Sequence, residues 1–471
     1  MVLWPMSAGN WKDLESIVVD KAEVGRWQTA SAGKDYAMKH HRSHIDRVTR
    51  KIIVGLAILA LLMFSLPPAA QAQEPPDRPD GTVPRVYLPF IGTAGLQSAP
   101  PAEAPILDEE LDRRNRTPLR LLVDTDPGVD DAVALTWLLS QNKVPVNLLG
   151  VVTVAGNTGV LAATNNALNV LARLQATTVP VVMGASAPMV QPLSKTSWFI
   201  HGPDGLWFLG FQNPQNPAGM APDTRSANEF YCKAVDSANV KLVTGATLLA
   251  LGPLTNIANA IDECPETMKT LGSLVVLGGA KFGGNKTPVA EFNFWQDPEA
   301  ANIVLSAGLP INIVPLDAFT TPTVQLKDVE KLINSRNPAV SFLAPALQQY
   351  IAVQLQNTGK ATIPDAVAAV YALDPTIGTT QPALVKMILA AGQTRGQSVI
   401  GLSVSERVAM IADEAELSRL AERAFAYPPD STFNLELELG AILMRQLDNA
   451  LMLTGTPANL LTEHVLPDLR K

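Results

Sequence analysis

A chain of 471 residues is long enough for one large α/β domain with extra segments, and 47% hydrophobic with 17% charged residues excludes a disordered or fibrous chain. The formal charge is −8, and setting aside the first 72 residues, nine basic and six acidic, takes it to −11. No basic stripe with interleaved aromatics remains, so a nucleic-acid partner is not expected. Two cysteines, Cys232 and Cys264, are too few for a cysteine metal cluster or a disulfide scaffold; buried free thiols are the expectation, and pairing after export is the alternative.

In chain order, the apolar run Ile52 to Phe64 follows Arg47, Arg50 and Lys51 and precedes Ala70-Gln71-Ala72, the layout of a secretion signal with a small-x-small cleavage site. It is short for a membrane span, so membrane contact is expected only through an uncleaved signal anchor. Met38 heads a normal basic n-region, which makes it a second candidate start and leaves residues 1 to 37 as upstream sequence. Residues 1–72 therefore read as extension and signal, and 73–116, with eight prolines and no sustained period, as a linker that tethers an exported domain. Its one apolar patch is Val86 to Ile91.

From Thr117 onward, residues 117–471 read as a single domain. Strands are expected at Leu119 to Val123, Val146 to Thr153, Val179 to Val182, Thr247 to Leu251, Ser273 to Leu277 and Ile311 to Val314. Helices are expected at Val129 to Ser140, Val160 to Leu174, Leu254 to Ile261 and Pro298 to Ala307. Strands that are apolar without alternation belong to a sheet covered on both faces, so the predicted fold is a doubly wound, mostly parallel α/β sheet with a Rossmann-like core. Beyond Gly401, Ser405 to Phe425 and Leu435 to Leu453 read as amphipathic helices that pack on the domain or form an oligomer surface, in a homodimer or a homotetramer.

In open α/β sheets ligands bind outside the carboxyl ends of the strands. Here those ends carry Asp124, Asp126, Asp130 and Asp131, then Asn157, Leu251-Gly252-Pro253, the Asn285 to Asn293 loop and Asp317. One or two aspartates would cap a helix; four within eight residues repel one another, and a bound cation relieves that repulsion. With only His201 and His464 left after the signal, the donors are hard oxygens, which suits calcium or magnesium rather than zinc. The same scarcity argues against a Ser-His-Asp or Cys-His machine and favours a metal-activated water with an aspartate as base.

The segment DTDPGVDDAVAL, Asp124 to Leu135, resembles the N-terminal signature of the inosine-uridine-preferring nucleoside hydrolases. Val154 to Asn157, His201 to Leu206, Ala250 to Ala258, Gly284 to Asn293, Asp297 to Ala301 and Leu316-Asp317 recur in that family's order, over about Thr117 to Gly401. The resemblance implies hydrolysis of ribonucleosides to ribose and free base, by a calcium-bound water deprotonated by Asp126. It makes Asp126, Asp131, the Leu251 carbonyl and Asp317 the Ca²⁺ ligands. Asp130 and Asn157 would hold ribose hydroxyls, Asn293 and Asp317 would grip the sugar further, and Asn285 and Glu291 would bind its 5′-hydroxyl. Asp124 would support the loop.

Two departures are visible: Leu316 stands where several members place a histidine, and Leu277 where a methionine often packs under the sugar. Leaving-group protonation then falls to His201, with Trp198 or Trp207 stacking on the base; the competing readings are a loop histidine in a tight turn and tryptophans of ordinary packing. Leu316 and the export signal also motivate a rival, a surface-tethered nucleoside- or sugar-binding protein with little or no turnover. A phosphatase of the aspartyl-nucleophile type, suggested by Asp124-Thr125-Asp126, lacks a matching phosphate loop.

Overall fold

The structure is a computed structural model that describes residues 117–213, 215–426 and 432–471. The signal, start site and linker expected within 1–116 lie outside the described residues. Of the described residues, 117–413 and 434–471 form one compact unit, which holds the sheet and the cavity; 414–426 and 432–433 belong to a second unit.

The chain alternates β1 (Leu119–Thr125), α1 (Val129–Ser140), β2 (Val146–Thr153), α2 (Val160–Arg173) and β3 (Val181–Met183). Short helices, among them α3 (Trp198–His201) and α4 (Ala227–Lys233), lead to β4 (Thr247–Ala250), α5 (Thr255–Glu263) and β5 (Ser273–Leu277). Then come α6 (Phe292–Gln296), α7 (Pro298–Ser306), β6 (Ile311–Val314), α8 (Pro338–Thr358), α9 (Pro364–Leu373), β7 (Thr379–Met387) and β8 (Ser398–Gly401). The described chain ends with α10 (Val404–Ile411), α11 (Glu414–Ala424), α12 (Leu435–Leu443), β9 (Ala450–Gly455) and short terminal turns.

All six expected strands form, and they pair parallel in the order β3-β2-β1-β4-β5-β6. Apolar residues of β1 alternate between two cores because a strand's side chains alternate in direction. Leu121 and Val123 join the core built with α1, α8 and α9, and Leu122 joins the one built with α4, α5 and α7. Both faces are therefore covered, as the unbroken apolar runs require. The chain winds from β1 out to β3 and returns to β4 on the other side of β1, so the switch of winding direction falls between β1 and β4, where such folds open a crevice.

The C-terminal part departs from expectation. Leu435 to Leu453 is not one helix: α12 stops at Leu443, and Ala450–Gly455 is β9, parallel to β6 and antiparallel to β7. Asn449 locks this strand in, accepting from Val385 N–H at 2.8 Å and donating to the carbonyls of Val385 and Leu305 at 2.9 and 3.0 Å. Ser405 to Phe425 likewise divides into α10 and α11, because Ala412 adopts an extended backbone that ends α10. The expectation of free thiols is also corrected: Cys232, in α4, and Cys264, just after α5, form a disulfide with Cα atoms 5.9 Å apart.

Candidate active site

The carboxyl end of β1 sets the floor of the site. Strand alternation turns Asp124 toward the α4 and α5 side, where Tyr231 O–H and Asn256 Nδ2 donate to its Oδ2 at 2.6 and 3.0 Å. Burial pushes its pKa up to about 7 against those two hydrogen bonds. Its backbone carbonyl accepts Leu251 N–H at 2.8 Å, so Asp124 ties β1 to the end of β4 and supports the loop as expected.

Asp126 follows in a cradle where the chain leaves only backbone room. Its Oδ2 accepts Asn157 N–H at 2.6 Å, and a Cβ added at Gly156 or Gly252 would collide with one or the other of its oxygens. Asp131, in the first turn of α1, accepts from Gly128 N–H and Asn157 Nδ2 at 3.0 Å each, and from the Thr125 hydroxyl. Asn157 thus connects the two aspartates, through its backbone and its side chain. Leu251 offers its carbonyl at the end of β4, where Asn293 Nδ2 reaches it at 2.7 Å.

The carboxylate that completes this cluster is Asp365, in the first turn of α9. Asp130, Asp131 and Asp365 present ligand oxygens all within 4.8 Å of one another, and all three residues are buried. Asp317, expected in this place, is not there: its oxygens accept the N–H groups of Lys281 and Phe282 at 2.7 and 3.0 Å and tie down the loop after β5. The residue before the completing carboxylate is accordingly Pro364, and Leu316 is a wall of the cavity. A signal for Asp365 was present. Helix α9 is apolar almost all round, so it must be buried, and its single charge must be buried with it.

Burial raises the pKa of Asp126, Asp130, Asp131 and Asp365, and their mutual repulsion adds to the effect at Asp126, Asp131 and Asp365. Oδ1 of Asp126 and Oδ1 of Asp130 are buried without a hydrogen-bond partner. Orphaned carboxylate oxygens facing further carboxylates fit a hard divalent cation, whose charge offsets both desolvation and repulsion.

Above this floor opens a cavity of about 560 Å³ lined by Asp130, Asn157, His201, Leu251, Leu277, Asn285, Glu291, Asn293, Leu316, Tyr350 and Asp365, among others. Glu291 caps α6, accepting from the N–H groups of Gly279, Asn293 and Phe294, and burial pushes its pKa up to about 7. Asn285 Oδ1 accepts Phe292 N–H at 2.8 Å. Every expected sugar-side residue except Asp317 thus lines one cavity.

On the base side, His201 Nδ1 accepts Val129 N–H at 3.2 Å, which places the imidazole proton on Nε2. Burial lowers its pKa to about 4, so its 3.6 Å approach to Asp130 is not an ion pair near neutral pH. The ring can donate a hydrogen bond, and it holds no surplus proton to give. Tyr350 of α8, which the sequence did not single out, donates to Asp130 Oδ2 at 2.8 Å and lies 5.2 Å from the His201 ring. Trp198 and Trp207 do not line the cavity; Trp207 donates to the Ile200 carbonyl at 2.8 Å, and the aromatic rings of the walls are those of Phe292, Phe319, Tyr350 and His201.

The family model described as inosine-uridine preferring nucleoside hydrolase matches residues 121–422. The chain belongs to this family. It is 36% identical over 234 residues to a protein called probable uridine nucleosidase 2 of Arabidopsis thaliana, covering 49% of this chain and 69% of that one. It is 31% identical over 317 residues to the non-specific ribonucleoside hydrolase RihC of Klebsiella pneumoniae, covering 66% of this chain and 99% of that one. Among solved structures, a plant nucleoside hydrolase superposes with a TM-score of 0.59 at 25% identity, over 75% of this chain and 98% of that chain. As a nucleoside hydrolase, the protein hydrolyses ribonucleosides to free base and ribose, and the parallel sheet with its carboxylate-lined cavity is the framework for that reaction.

Proposed function

We propose that Asp126, Asp131, Asp365 and the Leu251 carbonyl hold a calcium ion beside Asp130, and that Asp126 is the base for the attacking water. The observation that carries this reading is the buried cluster of Asp130, Asp131 and Asp365, two of which line the cavity, with Asp126 joined to it through Asn157 and unpartnered oxygens on Asp126 and Asp130. A bound Ca²⁺ would balance their charge and acidify a water.

The chain's own residues do the rest. Asp126 Oδ1, free of hydrogen bonds, takes a proton from water, while Asn157 N–H holds Oδ2 and fixes the carboxylate plane. Asp130, with Tyr350 on its other oxygen, and Asn157 hold ribose hydroxyls; Asn293, Asn285 and Glu291 hold the far side of the sugar. A wall this rich in oxygen acceptors favours the positive charge that develops on the ribosyl ring as the base departs. His201 acts as a neutral donor through Nε2, steadying the departing base without protonating it. The inactive-binder reading is not favoured by the family match, although the residue before the completing carboxylate is Pro364 rather than the histidine of several members.

Residues 1–72 and 73–116 remain, in this proposal, an export signal and a tether ahead of a catalytic domain spanning 117–471. The disulfide supports export, because such bonds persist in oxidising compartments. The purified protein is expected to release free ribose from at least one of inosine, uridine, cytidine and adenosine in calcium, and Asp126→Ala to lower the rate by about 10³-fold or more. Stoichiometric metal with no ribose from any of the four would sink the proposal.

A further inference from the structure

The wall that holds the far side of the sugar carries a cation that nucleoside hydrolysis does not use. Lys286 lines the cavity next to Asn285. Its ammonium hydrogen-bonds the Ser194 hydroxyl at 2.7 Å and the Thr196 hydroxyl, and lies 4.3 Å from the centre of the Trp295 ring. These hydrogen bonds go to neutral hydroxyls rather than to a carboxylate, and Thr196 itself faces the cavity. Asn285 uses its Oδ1 on Phe292 N–H, so its amide N–H₂ is what it offers a ligand. Glu291, the acid beside them, already accepts from three backbone N–H groups. The cavity is therefore polarised, with carboxylates on the floor and the donors Lys286, Thr196 and Asn285 gathered on one wall.

We infer that this wall receives a phosphate on the ribose 5′-oxygen, so that nucleoside 5′-monophosphates are substrates of the same site. The inference rests on the proposed placing of the sugar, with its 5′ end toward Asn285 and Glu291. A phosphate there would give the ammonium the anionic partner it lacks, and two neutral donors would complete the contact. Water adds to C1′ and the C1′–N bond breaks. One water proton passes to Asp126, the departing base takes up a proton, and the products are ribose 5-phosphate and free base. No co-reactant beyond water is consumed.

The experiment compares kcat/KM for UMP with uridine and for IMP with inosine, identifying the sugar product as ribose 5-phosphate or ribose, in the wild type, Lys286→Met and Lys286→Arg. The inference requires that at least one nucleotide be cleaved within tenfold of its nucleoside. It also requires that Lys286→Met lower the nucleotide-to-nucleoside ratio tenfold or more, and that Lys286→Arg recover most of it. Cleavage of nucleosides alone overturns this inference and leaves the hydrolase reading intact. A Lys286→Met change that lowers both substrates equally also overturns it, since Lys286 would then merely latch the Ser194 to Thr196 loop. Release of sugar from neither class would instead defeat the hydrolase reading itself.

Discussion

At the scale of single residues, the proposed metal site gives to Asp365 the ligand role that the resemblance assigns to Asp317. Asp317 follows β6 directly, at the strand end where a ligand is expected, yet its carboxylate caps the Lys281–Phe282 backbone. Asp365 sits in the cluster, at the start of a helix where an acid ordinarily passes for a cap. Asp365→Asn is predicted to weaken Ca²⁺ binding and lower kcat/KM by on the order of a hundredfold, since an interaction with the reacting centre is lost. Asp317→Asn should change both by only a few-fold; calorimetric titration with Ca²⁺ and steady-state kinetics read the pair, and the reverse ranking would restore Asp317 as a ligand. The residues around Asp126 were legible because they lie within a dozen positions of one another. Tyr350 was not: its hydrogen bond to Asp130 spans 220 residues, and in sequence it is one aromatic on a long helix. Trp198 and Trp207 erred the other way, singled out by residue type although the fold keeps both off the cavity wall.

At the scale of elements, the six parallel strands announce themselves because each is short and mostly apolar, with few polar interruptions such as Arg120, Asn147 and Asn312. The strands beyond them do not. β7 opens with Thr379-Thr380-Gln381-Pro382, which carry little apolar signal, and β9 carries Leu451, Met452 and Leu453, which in sequence carry on the helical pattern although Asn449 just before them is hydrogen-bonded to Val385 of β7. What makes β9 a strand is its place between β6 and β7, a tertiary fact. Helices α4 and α5 hold Asp124 through Tyr231 and Asn256, and the Cys232–Cys264 bond joins them across 32 residues. Closing a loop of that length stabilises the fold by roughly 3 to 4 kcal/mol through the unfolded chain. The Cys232→Ser/Cys264→Ser protein should therefore unfold at correspondingly lower denaturant, and a loss below about 1 kcal/mol would mean that the bond constrains little.

At the scale of the whole molecule, the cost of the site shows in its pH dependence. In metal-free protein Asp124 and Glu291 titrate near 7, and Asp126, Asp130, Asp131 and Asp365 are raised as well, all primarily by burial. A carboxyl raised on folding contributes stability that is complete below its unfolded pKa and lost as pH climbs through its folded one, about 1.4 kcal/mol for each pH unit that separates the two. His201, lowered to about 4, acts in the opposite sense, losing stability as pH falls below its ordinary 6.5, but it is one group against six. Metal-free protein should accordingly melt several degrees higher near pH 5 than near pH 8, and Ca²⁺ should remove most of that difference by raising the pH 8 value. A Tm that rises steadily from pH 5 to 8 without metal would show that burial does not raise these carboxyls. Ribose release from uridine and inosine, measured after exhaustive chelation and again on re-addition of Ca²⁺, decides whether these carboxylates hold an ion on which hydrolysis depends. Activity should vanish with the metal and return at one Ca²⁺ per chain; undiminished release from protein shown to contain no metal would mean that hydrolysis needs no ion.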